Sequence, residues 1–444
     1  MRILIIADEE WNDFVYGNNV LTNWFDGMDA EFAEIYCSPG KPINSVCDMY
    51  FQITDSQMFK SIFGGKRAGG EIVKECTAEQ IEYNKKNAQR RGIYGLMKKI
   101  SLYMHTPVMM MRDFIWLKGR YNEEGLKDFV ENFNPDVVFC PRYVTPKLMR
   151  LERKVSQMTS APFVAFTADN EVALDDVGES LLARIRRRCI HKMFVEHVNL
   201  YTHYLMFSAD QAQEYKNQYK VSTSTFYKSG VFPEYLINKQ LGNPIRLVYA
   251  GRLYCNRWKS LAEIGKALTV INQNGVKMVL DVYTQDQLTT EQRRTLTEDR
   301  YIYMKGCVSP DELRSVYENA DIALHVESLD EKYKKVTRVS FSTKIIDLMA
   351  STCAIWAICW DKHAGYQYLR EKDAAFCISN YQEILPLLSK VCTNTSLISE
   401  YAQKAYLCGR KYHNKESIQR QLLEVFEKAI SNNKLNEISN QKTN

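Results

Sequence analysis

The sequence of 444 residues predicts an α/β protein in which helices alternate with the strands of parallel sheets. Short apolar runs end in polar loops, as in residues 2 to 8 and in Val137–Cys140 after the turn Asn134-Pro135. Such runs are typical of strands that are buried on both faces of a parallel sheet. A new first strand, Ile245–Ala250, follows a stretch of turn formers, so the same pattern begins again in the second half of the chain.

Turn formers between Val231 and Pro244 predict a boundary between two domains. We therefore expect an N-terminal domain over residues 1–238 and a second domain over residues 239–415. An amphipathic helix is predicted over residues 416–430. The polar residues 431–444 are predicted to form a disordered tail.

The composition excludes several classes of protein. Hydrophobic residues make up 45% and charged residues 25%, which are ordinary values for a globular chain. No apolar run approaches the ~20 residues that span a bilayer, and the acidic residue Asp8 comes too early for a signal peptide. Twelve cysteines are spread singly, which is typical of reduced thiols in the cytoplasm. We expect a cytoplasmic protein with no metal site.

The net charge of the whole chain is only +5, but two segments of the chain are strongly basic. Residues 85–120 contain nine basic residues and one acid, Asp113, with apolar side chains between them. A second basic cluster covers residues 184–192. Such segments can lie on an anionic membrane surface, which predicts peripheral contact with the inner membrane face. A solvated helix face would show the same charges. Nucleic acid is not expected as a partner, because no recognisable nucleic-acid motif is present.

The stretch Val339–Ser351 is the strongest candidate for a functional site. It begins with small hydroxyl residues and continues as an apolar run at helical spacing. Ser342, Thr343 and Lys344 at a helix start could hold a phosphate, and Asp347 could accept hydrogen bonds from ribose hydroxyls. An ordinary capped core helix would fit the same residues equally well.

Apolar strands flank this stretch on both sides. Ala320–Ser328 precedes it as a strand that ends in polar residues, and Ala354–Ile358 follows it. Together they predict a βαβ unit, whose ligands bind beyond the carboxyl ends of the strands. The context therefore favours a nucleotide-type site.

A carboxylate of the first domain is a further candidate. Asp169 follows the predicted strand Pro162–Thr167 and would lie at its carboxyl end. There it could orient an acceptor hydroxyl or act as a base, or it could only cap the loop.

The order of several short motifs resembles the donor half of family 4 glycosyltransferases, best over residues 244 to 430. The matching residues are Ala250-Gly251-Arg252-Leu253, Lys259, Ala320–Leu324, Phe341–Lys344 and Asp347–Ser351. The resemblance implies the GT-B architecture, in which two Rossmann-like domains with parallel sheets face each other and a C-terminal helix crosses back to the first domain. It also implies a nucleotide-diphosphate sugar as donor substrate, no cofactor and no metal.

The resemblance assigns roles to individual residues. Gly251, Arg252 and Lys259 would face the donor diphosphate, where two cations can stabilise the charge that develops on the leaving group. The loop containing Val308 would hold the nucleobase through backbone groups.

This chain departs from the family at Val339, where the family often carries a glutamate near the transferred sugar. Glu327 and Ser340 are candidates for the missing polar contact.

The predicted function is that of a retaining, metal-independent glycosyltransferase. It would move a sugar to a glycan or lipid-linked acceptor in the synthesis of a bacterial surface polysaccharide, and the N-terminal domain would bind the acceptor. Two alternatives remain open: a catalytically inactive GT-B partner protein, which the apolar Val339 would suit, and a nucleotide-sugar epimerase of the same fold.

Overall fold

The computed structural model describes residues 1–13, 20–72, 105–141, 144–168, 180–235, 239–298 and 300–443. The chain forms two compact units, of which the first contains Met1–Phe226 and Gln419–Asn444, and the second contains Tyr227–Ile418. The second unit thus begins before the boundary at residue 238 that the turn formers predict. The cause is local packing, because the ring of Tyr227 packs against that of Phe341 in a tilted arrangement and the N–H of Gly230 donates to the carbonyl of His413.

The first unit is built on an eight-stranded sheet with the strand order β4-β3-β2-β1-β5-β6-β7-β8. The strands are parallel to their neighbours except β4, which runs antiparallel to β3. The strands are β1 Arg2–Ala7, β2 Glu31–Tyr36, β3 Met49–Gln52, β4 Gly70–Ile72, β5 Val137–Pro141, β6 Phe163–Thr167, β7 Tyr201–Met206 and β8 Thr223–Thr225. The helices are α1 Val20–Phe25, α2 Asp55–Ile62, α3 His105–Lys118, α4 Glu123–Phe133, α5 Pro146–Val155, α6 Leu181–His197 and α7 Ala209–Tyr219.

Four of these strands were not predicted from the sequence. Neither β2 nor β8 was identified, and residues 41 to 120, which show few strand signals, predict loops and helices, whereas β3 and β4 lie there. That expectation is wrong because β3 and β4 have only four and three residues, too few to show an alternating pattern. They gain their stability from pairing at the edge of the larger sheet.

The second unit contains a six-stranded parallel sheet with the order β11-β10-β9-β12-β13-β14. The strands are β9 Ile245–Ala250, β10 Met278–Tyr283, β11 Ile302–Gly306, β12 Ile322–Val326, β13 Ala354–Ile358 and β14 Phe376–Ile378. The helices are α8 Arg257–Ile271, α9 Thr290–Glu298, α10 Pro310–Glu318, α11 Glu331–Thr337, α12 Lys344–Met349, α13 Ala364–Glu371, α14 Ile384–Thr393 and α15 Ser396–Tyr412. The strand order reverses between β9 and β12, which is where doubly wound sheets bind ligands.

Each unit has its own hydrophobic core. In the first, residues such as Leu4 and Val138 from the sheet pack against helix residues such as Phe129. In the second, Leu247 and Trp356 from the sheet pack against Leu261 and other helix residues. The apolar runs that predict the strands are thus the residues that fill the two cores.

The last helix, α16, spans Lys415–Thr443 and belongs to the first unit from Gln419 onwards. Its Phe426 ring lies 5.6 Å from the ring of Phe139, and the Gln421 side chain donates to the carbonyl of Thr225. The helix continues past residue 430, so the disordered tail predicted over residues 431–444 is instead helical to Thr443. Within the described ranges, no helix combines the length and the apolar character needed to cross a membrane.

Candidate functional site

The candidate site lies at the carboxyl edge of the second sheet, on both sides of the point where the strand order reverses. Gly251 and Arg252 directly follow β9, and Glu327 directly follows β12, its neighbour in the sheet. These predicted residues therefore come together where parallel sheets offer a ligand site.

Lys344 is the central cation of this edge. Its Nζ donates to the carbonyl of Ala250 at 3.2 Å, and a Cβ at position 251 would collide with the same Nζ, so glycine leaves room for the lysine. Crowding of the ammonium by protein atoms lowers the pKa of Lys344, and the charge of Arg257 lowers it further. The carboxylates of Glu327 and Asp347 act in the opposite direction and raise this pKa. Among the described residues, Lys344 forms no ion pair. An anion bound at this edge would pair directly with the ammonium.

The helix that begins at Lys344 is shorter than expected. Helix α12 has only six residues, Lys344–Met349, and Thr343 makes no side-chain capping bond. The expectation of a hydroxyl-capped helix start is therefore wrong for Thr343. So short a helix has a small dipole, and we attribute the positive potential here to side-chain cations.

Arg257 and Glu327 form a buried ion pair beside Lys344. The guanidinium contacts both carboxylate oxygens, with Nη2 at 2.6 Å from Oε1 and Nε at 2.9 Å from Oε2. Their side chains are only 12% and 5% exposed. The ring of Tyr254 covers the guanidinium with a centroid distance of 4.4 Å. Glu327, which the sequence analysis offered as a sugar contact, thus holds Arg257 at the sheet edge.

The two predicted diphosphate cations occupy different surroundings. Arg252 is 59% exposed, and its Nη1 lies 3.8 Å from Asp286. Its charge also lowers the pKa of Lys344, so it belongs to the same group. Lys259 instead pairs with Asp330 at 3.0 Å. A hydrogen bond from Asn256 lowers the pKa of Asp330, and the bond from Lys259 lowers it further.

Asp347 and Val339 lie in the stretch around α12. The Asp347 carboxylate is half-exposed and lies 3.0 Å from Nζ of Lys228. Val339 is 1% exposed and contributes to the apolar interior. The position at which the related family often carries a glutamate therefore has no polar group here.

The remaining predicted residues do not join this group. Ser342 is partly buried near the start of α12, and Val308 is partly exposed in the loop between β11 and α10. Asp169 lies outside the described residues, so no position is assigned to it.

Arg257 and Lys228 were missed by sequence reasoning. Arg257 stands two positions before Lys259, and its only local signal is its place at the start of α8. Its partner is 70 positions away, so the pair becomes visible only once β9 and β12 are neighbours. Lys228 has no local signal of a role.

Comparisons with known proteins give the fold. No family profile and no curated protein sequence matches the chain. Sucrose-phosphate synthase from Thermosynechococcus elongatus is similar in structure, with a TM-score of 0.59, 10% identity and coverage of 97% of this chain and 100% of that one. HepE from Anabaena in complex with UDP has a TM-score of 0.58, 11% identity and coverage of 96% and 100%.

TarM, a Staphylococcus aureus protein, is also similar, with a TM-score of 0.51 and 16% identity over 69% of this chain. This chain spans 58% of the length of TarM. These likenesses show the GT-B fold, with two Rossmann-like sheets and a C-terminal helix, and they confirm the predicted fold class.

Proposed function

We propose that the protein is a glycosyltransferase of the family 4 type that uses a nucleotide-diphosphate sugar. The observation that carries the proposal is the ammonium of Lys344, which lies at the carboxyl edge of a GT-B sheet and forms no ion pair within the described part of the chain. The donor diphosphate supplies the anion that this ammonium lacks. HepE, which shares the fold, was crystallised with UDP.

The chemistry follows from where charge develops. When the bond from the sugar to the diphosphate breaks, negative charge collects on the leaving phosphate. Preorganised cations stabilise this charge, and Lys344, Arg252 and Arg257 are the groups placed to do so. Glu327 keeps Arg257 oriented at the edge through its two-point contact. These cations allow transfer without a divalent metal, and we expect turnover in the presence of EDTA.

The finer features of the reaction rest on the resemblance to family 4. We propose transfer with retention of configuration, assisted on the same face by the leaving phosphate. The acceptor is a glycan or a lipid-linked saccharide of a surface polysaccharide, and the N-terminal domain binds it. Asp347 holds the ribose hydroxyls, and backbone groups near Val308 hold the base.

The test begins with the thermal stability of the purified chain in the presence of UDP, GDP, ADP or CMP. We expect one nucleotide to raise the melting temperature, because a ligand at about 100 times its Kd adds roughly 2.7 kcal/mol to the free energy of unfolding. Lys344→Ala should abolish the shift. Lys390→Ala, a change at an exposed lysine of α14, is the matched control and should retain it.

Donor turnover then separates the rival functions. A transferase releases nucleotide diphosphate from the sugar donor that carries the identified base, whereas an epimerase returns an isomeric nucleotide sugar. An inactive partner protein does neither. A nucleotide shift that Lys344→Ala leaves unchanged would contradict the proposed donor site.

We also propose that helices α3 and α6 contact an anionic membrane surface. The two helices pack together, and Nε of Arg186 on α6 lies 2.7 Å from Asp113 on α3. Large apolar side chains are exposed on both helices: Val108, Met111, Phe114, Leu117, Leu181, Leu182 and Ile185. Exposed cations accompany them: Lys118, Arg184, Arg188 and Lys192. Apolar groups can enter the interface while the cations pair with anionic headgroups.

This contact would make the protein peripheral on the inner, cytoplasmic membrane face. The described part of segment 85–120 begins at His105, and the basic residues before it lie outside the described ranges.

Vesicle sedimentation tests the membrane contact. We expect binding to vesicles that contain phosphatidylglycerol, less at high salt, and little binding to pure phosphatidylcholine. The double change Met111→Ser with Phe114→Ser should weaken binding, while Leu407→Ser on α15 should not. Equal binding to neutral vesicles, or retention by DNA instead of vesicles, would contradict the contact.

A further inference from the structure

Three metal-ligating side chains meet inside the second unit. His325 lies in β12, Cys359 follows β13, and His363 precedes α13. Their exposed fractions are 4%, 0% and 2%, and one ligand atom from each lies within 4.8 Å of the others. Cys359 and His363 lie four positions apart in the loop between β13 and α13, whereas His325 comes from the neighbouring strand β12, so the sequence alone does not reveal the cluster.

The hydrogen bonding of the cluster is incomplete. Nε2 of His325 is buried and has no hydrogen-bond partner among the described residues. A buried polar atom without a partner costs free energy and indicates an additional ligand. Gly365 borders both rings, since a Cβ there would lie 3.3 Å from His325 Nε2 and 3.3 Å from His363 Cε1. Glycine therefore keeps the approach between the two imidazoles clear.

The types of ligand suit a transition metal. Each neutral imidazole offers one nitrogen lone pair, and Cys359 offers a sulfur that binds as the thiolate. Two neutral imidazoles and one thiolate are ligands that Zn²⁺ and Co²⁺ prefer.

We propose that His325, Cys359 and His363 bind one divalent transition metal, with Zn²⁺ as the first choice and water as the fourth ligand. The Cys359 thiol gives up its proton to solvent when the sulfur binds the metal. Tetrahedral bonds to nitrogen and sulfur place such ligand atoms about 3.3 to 3.8 Å apart, so small side-chain rotations are enough. The proposal is independent of sugar transfer, and no step of that reaction is assigned to the metal.

Metal binding has a consequence for helix α13. In the structure, Nδ1 of His363 accepts a hydrogen bond from the N–H of Gly365 at 3.1 Å and so caps the helix. Ligation through Nδ1 uses that lone pair. Ligation through Nε2 leaves the ring proton on Nδ1, which then cannot accept. Either geometry breaks the cap, so the metal loosens the first turn of α13.

The test is a Co²⁺ titration of the full chain after dialysis against a chelator. We expect saturation at one Co²⁺ per chain, with the visible bands of a tetrahedral site and a thiolate charge-transfer band in the near ultraviolet. Cys359→Ala should remove the charge-transfer band and raise the Kd at least tenfold. Cys353→Ala, the matched control, changes a buried thiol that precedes β13 and should retain both.

Two further measurements use the wild-type chain, so their outcome does not depend on whether a variant folds. Elemental analysis after purification without chelator should find about one zinc per chain, and Zn²⁺ should speed amide exchange in the first turn of α13. Absence of a charge-transfer band, or a metal content below a tenth of an equivalent with no Co²⁺ saturation, would overturn the proposal. Nucleotide binding tests the proposed function separately, so the two failures are distinguishable.

Discussion

The carboxyl edges of the two sheets carry different sets of charged residues although the sheets share a doubly wound topology. In the second unit, three cations lie around the end of β9: Arg252, Arg257 and Lys344. In the first unit, the acids Asp8, Glu9 and Glu10 follow β1 directly. A cationic edge suits a diphosphate. An edge with carboxyl groups suits an acceptor that offers hydroxyl groups, which supports the proposed division of roles.

The two edges also differ in how their buried charges are satisfied. Arg257 and Glu327 neutralise each other with three contacts of 2.9 Å or less. In the first unit, Glu34 is 0% exposed and accepts one hydrogen bond from the N–H of Trp11. Burial raises the pKa of Glu34 well above its ordinary value. The buried acid of the second unit is thus paired with a cation, whereas the buried acid of the first unit accepts a hydrogen bond from a backbone N–H.

The largest expected effect comes from breaking the buried pair of the second unit. Arg257→Ala leaves the Glu327 carboxylate buried without its partner, so we expect a loss of about 3 to 5 kcal/mol in the free energy of unfolding. Urea unfolding followed by fluorescence measures this loss. Arg314→Ala, which breaks an exposed pair with Glu318, is the control and should cost under about 1 kcal/mol. Equal losses in the two variants would contradict the buried role of Arg257.

The second effect concerns the stability of the protein at acid pH. In each unit, one histidine with a lowered pKa should reduce the free energy of unfolding as the pH falls. Burial lowers the pKa of His413 to about 4, and the same cause with the charge of Lys428 lowers that of His203 to about 4. The unfolded rings, with a pKa near 6.5, bind protons first as the pH falls, so stability decreases from pH 6.5 towards pH 4. For His413 the loss between pH 7 and pH 5 is about 2 kcal/mol.

Urea unfolding of His413→Gln and His203→Gln at pH 7 and pH 5 measures the two contributions. The pH dependence should flatten by a similar amount in the two variants, because the pKa of each ring is lowered to about 4 in the folded protein. An unchanged pH dependence in His413→Gln would show that the pKa of this ring is the same in the folded and unfolded protein, and it would contradict the prediction.

Local patterns predicted the parts of the fold that depend on neighbouring residues. The strands β12 and β13 are continuous apolar runs, and both were predicted because burial on two faces leaves that signature. Helix α12 was predicted too long: its apolar residues continue the pattern, but Thr352 adopts a positive φ of 64° that no apolar pattern reveals. Local propensity thus predicted a helix after β12 but overestimated its length.

The charge pairs of the site could not be predicted from the sequence. Arg257 and Glu327 become partners because β12 lies beside β9. The choice of Lys259 came from a family pattern, and Arg257 in the first turn of the same helix has no such pattern to mark it. Residues that are distant in the sequence become partners because of the order of the strands in the sheet, and local sequence patterns do not reveal that order.

A third, smaller effect tests the edge of the first unit. Lys147 is 3% exposed and forms an ion pair with Asp8, which also lies 3.8 Å from Arg112. Lys147→Met should cost about 1 to 2 kcal/mol, less than Arg257→Ala, because Asp8 keeps Arg112 and partial contact with water. Urea unfolding of the variant gives the value. A loss above that of Arg257→Ala would reverse the proposed ranking of the two edges.

The smallest effect on stability is expected at Lys259, and it sharpens the assignment of the donor cations. The pair of Lys259 with Asp330 is 43% and 32% exposed, so Lys259→Ala should cost less than about 1 kcal/mol of unfolding free energy. Its effect on kcat/KM for the sugar donor is therefore free of folding defects. A fall as large as that of Lys344→Ala would place Lys259 on the diphosphate. An unchanged kcat/KM would leave that role to Arg257, whose position beside Lys344 is held by Glu327.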